Sequence, residues 1–314
     1  VVASWVAGST SYNKGSVNLF TPGISVDLRA IVEGLGWTLT NTGAAAAFVG
    51  SNLNDTLIGG TGNDTVRGGP GDDSLAGGQG IDLFEVDAGV DTIADLGLGS
   101  DILTIAAPGR VDATVVGPWT AGLGSANLGL AYISTIGQTV DLSTVTSGNG
   151  WSVTNAGSGA AITGSPQADT ITGGAGDDTV RGHAGNDLIS LGGGNDLILI
   201  DLGTDTVIDI GQGTDTVQVS QSATLNGTVT APWTATAQSR NDGVANLATS
   251  GFNVNLEAVS SGNGWRVTNA GTDVSLVGSQ LVDTLSGGTG NDTPARAVAS
   301  TTPRSSPPTA WPSI

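Results

Sequence analysis

Residues Gly59 to Glu85 read Gly-Gly-Thr-Gly-Asn-Asp-Thr-Val-Arg (59–67), Gly-Gly-Pro-Gly-Asp-Asp-Ser-Leu-Ala (68–76) and Gly-Gly-Gln-Gly-Ile-Asp-Leu-Phe-Glu (77–85). The pattern is Gly-Gly-x-Gly-x-Asp-x-apolar-x, three times in register. Its first six positions are turn chemistry, because Gly reaches positive φ cheaply and lets backbones approach closely. The last three place one apolar residue between two outward ones, which is a minimal strand.

Outward from this stretch the Asp recurs at Asp55, Asp64, Asp73, Asp82, Asp91 and Asp101, and again at Asp169, Asp178, Asp187, Asp196, Asp205 and Asp215. Asp283 and Asp292 continue the series in a third, shorter run. Two positions after each Asp stands an apolar residue: Leu57, Val66, Leu75, Phe84, Ile93 and Leu103, then Ile171, Val180, Ile189, Ile198, Val207 and Val217. These are the expected core.

A longer period encloses the short one. Trp5, Trp119 and Trp233 are 114 residues apart, as are Trp37, Trp151 and Trp265, and the pairs Gly50-Ser51, Gly164-Ser165 and Gly278-Ser279. Each 114-residue unit begins with alternating segments such as Thr139-Val-Asp-Leu142 and Trp151-Ser-Val-Thr-Asn155. Period-2 alternation of this kind reads as strands separated by Gly/Asn/Ser turns. The expected divisions are β-rich segments at 1–49, 105–163 and 219–277, nonapeptide blocks at 50–104 and 164–218, and an incomplete block at 278–293. At Pro294 a proline takes the core position and removes a ladder donor. The Pro/Ser/Thr-rich stretch 294–314 is expected to be disordered.

Composition agrees. The chain has 314 residues, 51 of them Gly, no Cys and a formal net charge of −19. Its acid is 25 Asp against 3 Glu. A solubilising surface would use both, whereas Asp serves tight turns and hard-cation coordination. The negative field and the lack of a basic stripe argue against nucleic acid and anionic membranes as partners. No apolar run reaches the length of a transmembrane helix. Val1–Trp5 lacks the basic region of a signal peptide, and without an initiating Met the chain reads as a fragment or processed product. There is no His-Glu-x-x-His, Gly-x-Ser-x-Gly or Gly-Lys-Ser/Thr, so no catalytic site is expected.

The nonapeptide run resembles the RTX (hemolysin-type) calcium-binding repeat, over residues 50–104, 164–218 and 278–293. The resemblance implies an all-β fold with right-handed parallel β-roll blocks, a calcium-binding β-solenoid, alternating with the β-rich segments. Two nonapeptides then make one coil, and calcium sits between successive turns. The implied ligands are the twelve aspartates 55–101 and 169–215, with backbone carbonyls at Gly60, Gly62, Gly69, Gly71, Gly78, Gly80, Gly174, Gly176, His183, Gly185, Gly192 and Gly194. His183 is read as contributing its carbonyl, not its ring.

In that register, aspartates 18 residues apart stack about 4.8 Å apart. Two such carboxylates repel by about 1 kcal/mol in water and about 3 to 4 kcal/mol at an effective dielectric near 20. A shared dication reverses the sign. The columns 55/73/91, 64/82/101, 169/187/205 and 178/196/215 have two gaps each, giving about four ions per block. Asp283 and Asp292 fall on opposite sides, so no ion bridged by two aspartates is expected in the third run. The competing reading makes the aspartates plain turn-formers without metal.

Some positions depart from the pattern. Leu53, Gln167 and Leu281 replace the fourth-position Gly of each first nonapeptide, which is expected to cap the roll. Asp87 and Asp201 replace a second Gly, and Asp95 and Asp209 are inserted in the sixth repeat. The repeated Trp residues read as packing within the intervening strands in preference to a sugar-stacking surface. Those segments read as wider solenoid coils, with small β-sandwich modules as the alternative.

Extracellular modules of this kind bind calcium at roughly 10⁻⁴ to 10⁻³ M. The chain is therefore expected to be a secreted or cell-surface bacterial protein that folds when calcium fills its turns. Its expected role is structural: an adhesin stalk, a surface-layer or a matrix protein, with self-association or matrix components as partners. The alternative is an export and folding module of a type I-secreted hydrolase or toxin whose catalytic domain lies elsewhere. More 114-residue units beside this one favour the first, and a catalytic domain favours the second.

Overall fold

A computed structural model describes residues 1–295. Every described element is a β-strand of two to eight residues, and the pairings between them are parallel. No helix long and apolar enough to cross a membrane occurs among the described residues. The chain divides into two compact units, Val1–Ile171 and the residues from Thr172 onward.

In the first unit one ladder runs through Trp5–Val6, Val26–Asp27, Ala47–Val49, Thr65–Arg67, Leu83–Val86, Ile102–Ile105 and Ala126–Asn127. Another runs through Asn18–Thr21, Thr38–Asn41, Thr56–Ile58, Ser74–Ala76, Val90–Leu96, Arg110–Val115, Leu130–Thr135 and Ser152–Asn155. Strands consecutive in sequence alternate between the two ladders as far as Arg110–Val115. That is a β-solenoid, with each coil laying one strand on each sheet. Within the nonapeptide block, partners are 18 residues apart: Thr56 pairs with Ser74 and Thr65 with Leu83. Two nonapeptides per coil is therefore the observed geometry.

The intervening segments are coils of the same kind, not sandwiches. Trp5 pairs with Val26, Val26 with Phe48 and Arg110 with Leu130, so these coils are two to four residues wider. The ladders pass from segment to block without interruption, as in Thr38–Thr40 pairing Thr56–Ile58. The second unit repeats the arrangement. Leu188–Ser190, Gly203–Ile210, Ala223–Val229, Val244–Thr249, Arg266–Asn269 and Thr284–Ser286 form one ladder there. Thr179–Arg181, Leu197–Ile200, Thr216–Val219 and Arg240–Asn241 form a second.

The expected core residues Leu57, Val66, Leu75, Phe84, Ile93 and Leu103 are buried, as are Ile171, Val180, Ile189, Ile198, Val207 and Val217. One apolar side chain per strand suffices because the coil is thin and every rung stacks on the next. The tryptophans close the wider coils. Trp119, Trp151, Trp233 and Trp265 are at most 1 % exposed, and each 114-residue unit pairs its two Trp rings at 6.0–6.3 Å. These four are packing residues and offer no surface for a sugar, while Trp5 in the first coil is only partly buried.

Pro294 does not end the ladder. Thr293–Ala295 is a strand, and Pro294 pairs with Leu276. A proline is tolerated where its missing N–H would face away from the neighbouring strand. The remainder of the expected disordered stretch, from residue 296, lies outside the described residues.

Candidate metal sites

The turns owe their shape to glycine. Gly78 and Gly80 have φ of 91° and 142°, a region that L side chains rarely adopt. A Cβ on Gly78 would also run into the Gly60 carbonyl oxygen one coil earlier, and one on Gly80 into that of Gly62. The same positive φ is found at Gly60, Gly62, Gly69, Gly71, Gly174, Gly176, Gly185, Gly192 and Gly194. Their carbonyls thereby stack coil on coil. His183 keeps this conformation with φ 78°, at a cost a non-glycine residue bears in that region. Its Nδ1 is buried without a partner.

The aspartates lie at the foot of these turns, all twelve of them at most 2 % exposed. Their stacking follows a rule that spacing alone does not supply. Where another Asp lies one coil earlier, Oδ1 accepts a hydrogen bond from its backbone N–H. Asp55 N donates to Asp73 Oδ1 at 2.8 Å, Asp73 N to Asp91 at 3.0 Å, Asp64 N to Asp82 at 2.8 Å and Asp82 N to Asp101 at 3.0 Å. In the second unit Asp178 N donates to Asp196 Oδ1, Asp187 N to Asp205 and Asp196 N to Asp215. Neighbouring rungs therefore meet as carboxylate on amide, not as carboxylate on carboxylate.

The second oxygen is the informative one. Oδ2 of Asp64, Asp73, Asp82, Asp91, Asp196 and Asp205 is buried with no donor. For Asp64, Asp73 and Asp82 it lies over the first glycine of its own nonapeptide: a Cβ on Gly59 would stand 2.8 Å from Asp64 Oδ2. Before Asp91, Asp196 and Asp205 that position holds Val86, Leu191 and Ile200, so the carboxylate is accommodated there without a glycine.

A buried anionic oxygen without a donor costs several times an ordinary hydrogen bond. Burial accordingly raises these groups. Asp73 and Asp91 are pushed up to about 7 and Asp82 to about 6, with nearby carboxylates adding to the effect of burial. Asp196 is pushed up to about 7 and Asp205 to about 6 for the same reasons. Asp64 is raised by burial, against hydrogen bonds from Ala46 and Asn41.

The ends of each block are built differently. Asp55 spends Oδ1 on Trp37 N (2.6 Å) and Oδ2 on both Ser51 N (2.6 Å) and Ser51 Oγ (2.8 Å). Asp169 does the same with Trp151 and Ser165, and Asp283 with Trp265 and Ser279. At the far end Asp101 Oδ2 accepts from Gly97 N at 3.0 Å and Asp215 Oδ2 from Gly211 N at 2.8 Å. The first and last aspartates are therefore satisfied by the protein itself. Spacing ranked them with the others as ligands, although the missing fourth-position Gly already read as a cap at each first nonapeptide. The Ser of the repeated Gly-Ser pair is a further signal there, and the last aspartates carry none of this kind.

The inserted aspartates have a use as well. Asp95 accepts from Gly77 N and Gly78 N, and Asp209 from Leu191 N and Gly192 N, which closes amides left by the wider coil. Asp87 and Asp201 pair with Arg67 and Arg181. In the third run Asp292 Oδ1 accepts from Val274 N at 3.3 Å, and Asp283 is a capping aspartate.

The donor set suits a hard cation. Among the described residues no three His, Cys, Asp or Glu side chains converge, so a cation here takes most of its oxygens from the stacked carbonyls. Calcium accepts that mixture of carboxylate and carbonyl oxygen at six to eight coordination.

Residues 49–84, 163–198 and 277–293 match the family described as RTX calcium-binding nonapeptide repeat (4 copies). No curated protein and no solved structure matches the chain. The matched residues stop before the last two nonapeptides of each full block, although Asp91 and Asp101 continue the same columns in space. Over residues 49–84, 163–198 and 277–293 the chain is made of RTX calcium-binding nonapeptide repeats.

Proposed function

We propose that the chain is the calcium-rigidified structural region of a secreted bacterial protein, of the adhesin-stalk, surface-layer or matrix kind. The observation that carries this reading is the row of buried Oδ2 atoms without donors at Asp64, Asp73, Asp82 and Asp91. Without a cation these oxygens oppose the fold, and with one they hold it. Each of the four gives one site per full block, completed by carbonyls of the glycine turns at Gly60, Gly62, Gly69, Gly71, Gly78 and Gly80. The capping aspartates Asp55 and Asp101 bound the sites without belonging to them. The 114-residue period supports a structural role, because an array adds length without new chemistry.

At ten times the dissociation constant each ion adds about 1.4 kcal/mol, so four add roughly 6 kcal/mol if independent. That is comparable with the net stability of a whole domain. Calcium at extracellular levels then holds a fold that is only marginally stable at cytosolic levels. Far-UV circular dichroism and thermal melts, with millimolar calcium and with chelator, test this. The expected result is a large loss of β signal in chelator, and identical spectra and melting points in both would end the proposal. A calorimetric calcium count gives the number of ions per block.

A further inference from the structure

Two grooves on the described surface occupy the same place in successive 114-residue units. One, of about 500 Å³, crosses the outer face of Val90–Leu96, Arg110–Val115, Leu130–Thr135 and Ser152–Asn155. The other, of about 370 Å³, crosses Gly203–Ile210, Ala223–Val229, Val244–Thr249 and Arg266–Asn269. Each lies beside a bulge, between Ile93 and Leu96 in one and between Val207 and Ile210 in the other. A bulge bends its strand and raises local twist, which hollows the outer face at that point.

The lining mixes apolar surface with polar side chains ordered in rungs. Asp112, Tyr132 and Ser152 stand in register on successive strands, and so do Thr114, Ser134 and Thr154. In the second groove the corresponding positions include Asn226, Asn246 and Arg266, with Thr228 and Thr268 beside them. Arg110 grips Asp112 at 2.9 Å and lies 4.5 Å over the Tyr132 ring, so that pair is neutral and holds the ring in place. Asn246 Nδ2 donates to Asn226 Oδ1 at 3.1 Å, and Thr114 and Ser134 share a hydrogen bond of 3.3 Å.

These two grooves escape the strong negative charge of the chain. The first carries one arginine balanced by one aspartate, and the second one arginine, Arg266, with no acid in its lining. Hydroxyls and amides offer both donors and acceptors, and a planar ring adds one apolar face. The rung spacing of about 4.8 Å is comparable with the length of one sugar residue. We infer that each groove binds a segment of a neutral glycan chain lying across the strands.

The test uses the full chain saturated with calcium. Maltohexaose, cellohexaose, chitohexaose and oligogalacturonate are titrated by isothermal calorimetry to about 10 mM, which reaches millimolar affinities. One of the three neutral oligosaccharides is expected to bind. The double variant Tyr132→Ala, Asn246→Ala is expected to weaken it about tenfold or more, that is by about 1.4 kcal/mol. Both side chains point outward, so circular dichroism and the calcium count stay as in the parent. Absence of binding by all three neutral sugars overturns the inference. So does binding that survives the double variant, or binding by oligogalacturonate alone. None of these outcomes bears on the calcium reading, whose readout is folding.

Discussion

Asp73 and Asp55 occupy the same position of the nonapeptide and do different work. Asp73 has one oxygen on the Asp55 amide and one buried without a donor, and it is pushed up to about 7. Asp55 has both oxygens on donors from Trp37 and Ser51. Asp73→Asn is expected to raise the melting point of calcium-free protein, because it removes a charge that burial penalises, and to remove one ion from the calorimetric count. Asp55→Asn turns an amide group toward the Ser51 donors. It is expected to cost about 1–3 kcal/mol with or without calcium and to leave the ion count unchanged. Equal effects of the two substitutions would contradict the division between capping and binding aspartates. At the same scale, Gly78→Ala puts a methyl where the Gly60 carbonyl stands and forces φ of 91° on an alanine. The expected loss is about 2 kcal/mol or more, read as a lower denaturant midpoint in calcium.

At the scale of the element, a block is a stack of short strands whose turns carry the charge. Its pH response follows from the raised aspartates. A carboxyl with a folded-state value near 6 or 7 and an unfolded value near 3.8 binds more protons folded than unfolded between those limits. Its protonation therefore supports the fold below pH about 4, and that support is lost as pH rises through about 7. Melts of calcium-free protein are expected to show falling stability from pH 5 to pH 8. With calcium present the sign reverses: the ion needs the ionised carboxylate, so affinity rises over the same window. A calcium-free melting point that rises with pH would show that these oxygens find donors after all. The bulged coils at Asp95 and Asp209 mark where the narrow block gives way to wider coils, and each inserted carboxylate closes two amides of the preceding coil.

At the scale of the whole molecule, two orders of repetition are combined. The nonapeptide sets an 18-residue coil, and the 114-residue period sets where blocks begin and end. The tryptophans tie the two together: Trp37 N caps Asp55 at the start of a block, and Trp119 Nε1 donates to the Asp101 carbonyl at its end. The second full block is bracketed likewise by Trp151 N on Asp169 and Trp233 Nε1 on the Asp215 carbonyl. The nonapeptide turns therefore come in bounded groups, separated by coils packed with Trp and Asn. Wide coils also carry the outer grooves, so the proposed calcium sites and these grooves alternate along the sequence.

Much of this was legible before any coordinates. An all-β repeat fold, the buried apolar position and the register of the block aspartates follow from periods of two, nine and 114, and the resemblance to the RTX repeat adds the solenoid and its 18-residue coil. Alternation and turn chemistry are local properties that a sequence states directly. The intervening segments could be narrowed only to coils or sandwiches, because their strands fix which side chains alternate but not which strand is the neighbour. The tertiary structure decided that, and it also decided which carboxylate oxygens are spent. The partner of Asp55 Oδ2 is a serine four residues away, while that of Asp73 Oδ1 is an amide one coil below. Only the stacking of coils brings those groups together, so identical aspartates in the sequence become a cap in one place and keep a buried oxygen without a donor in another.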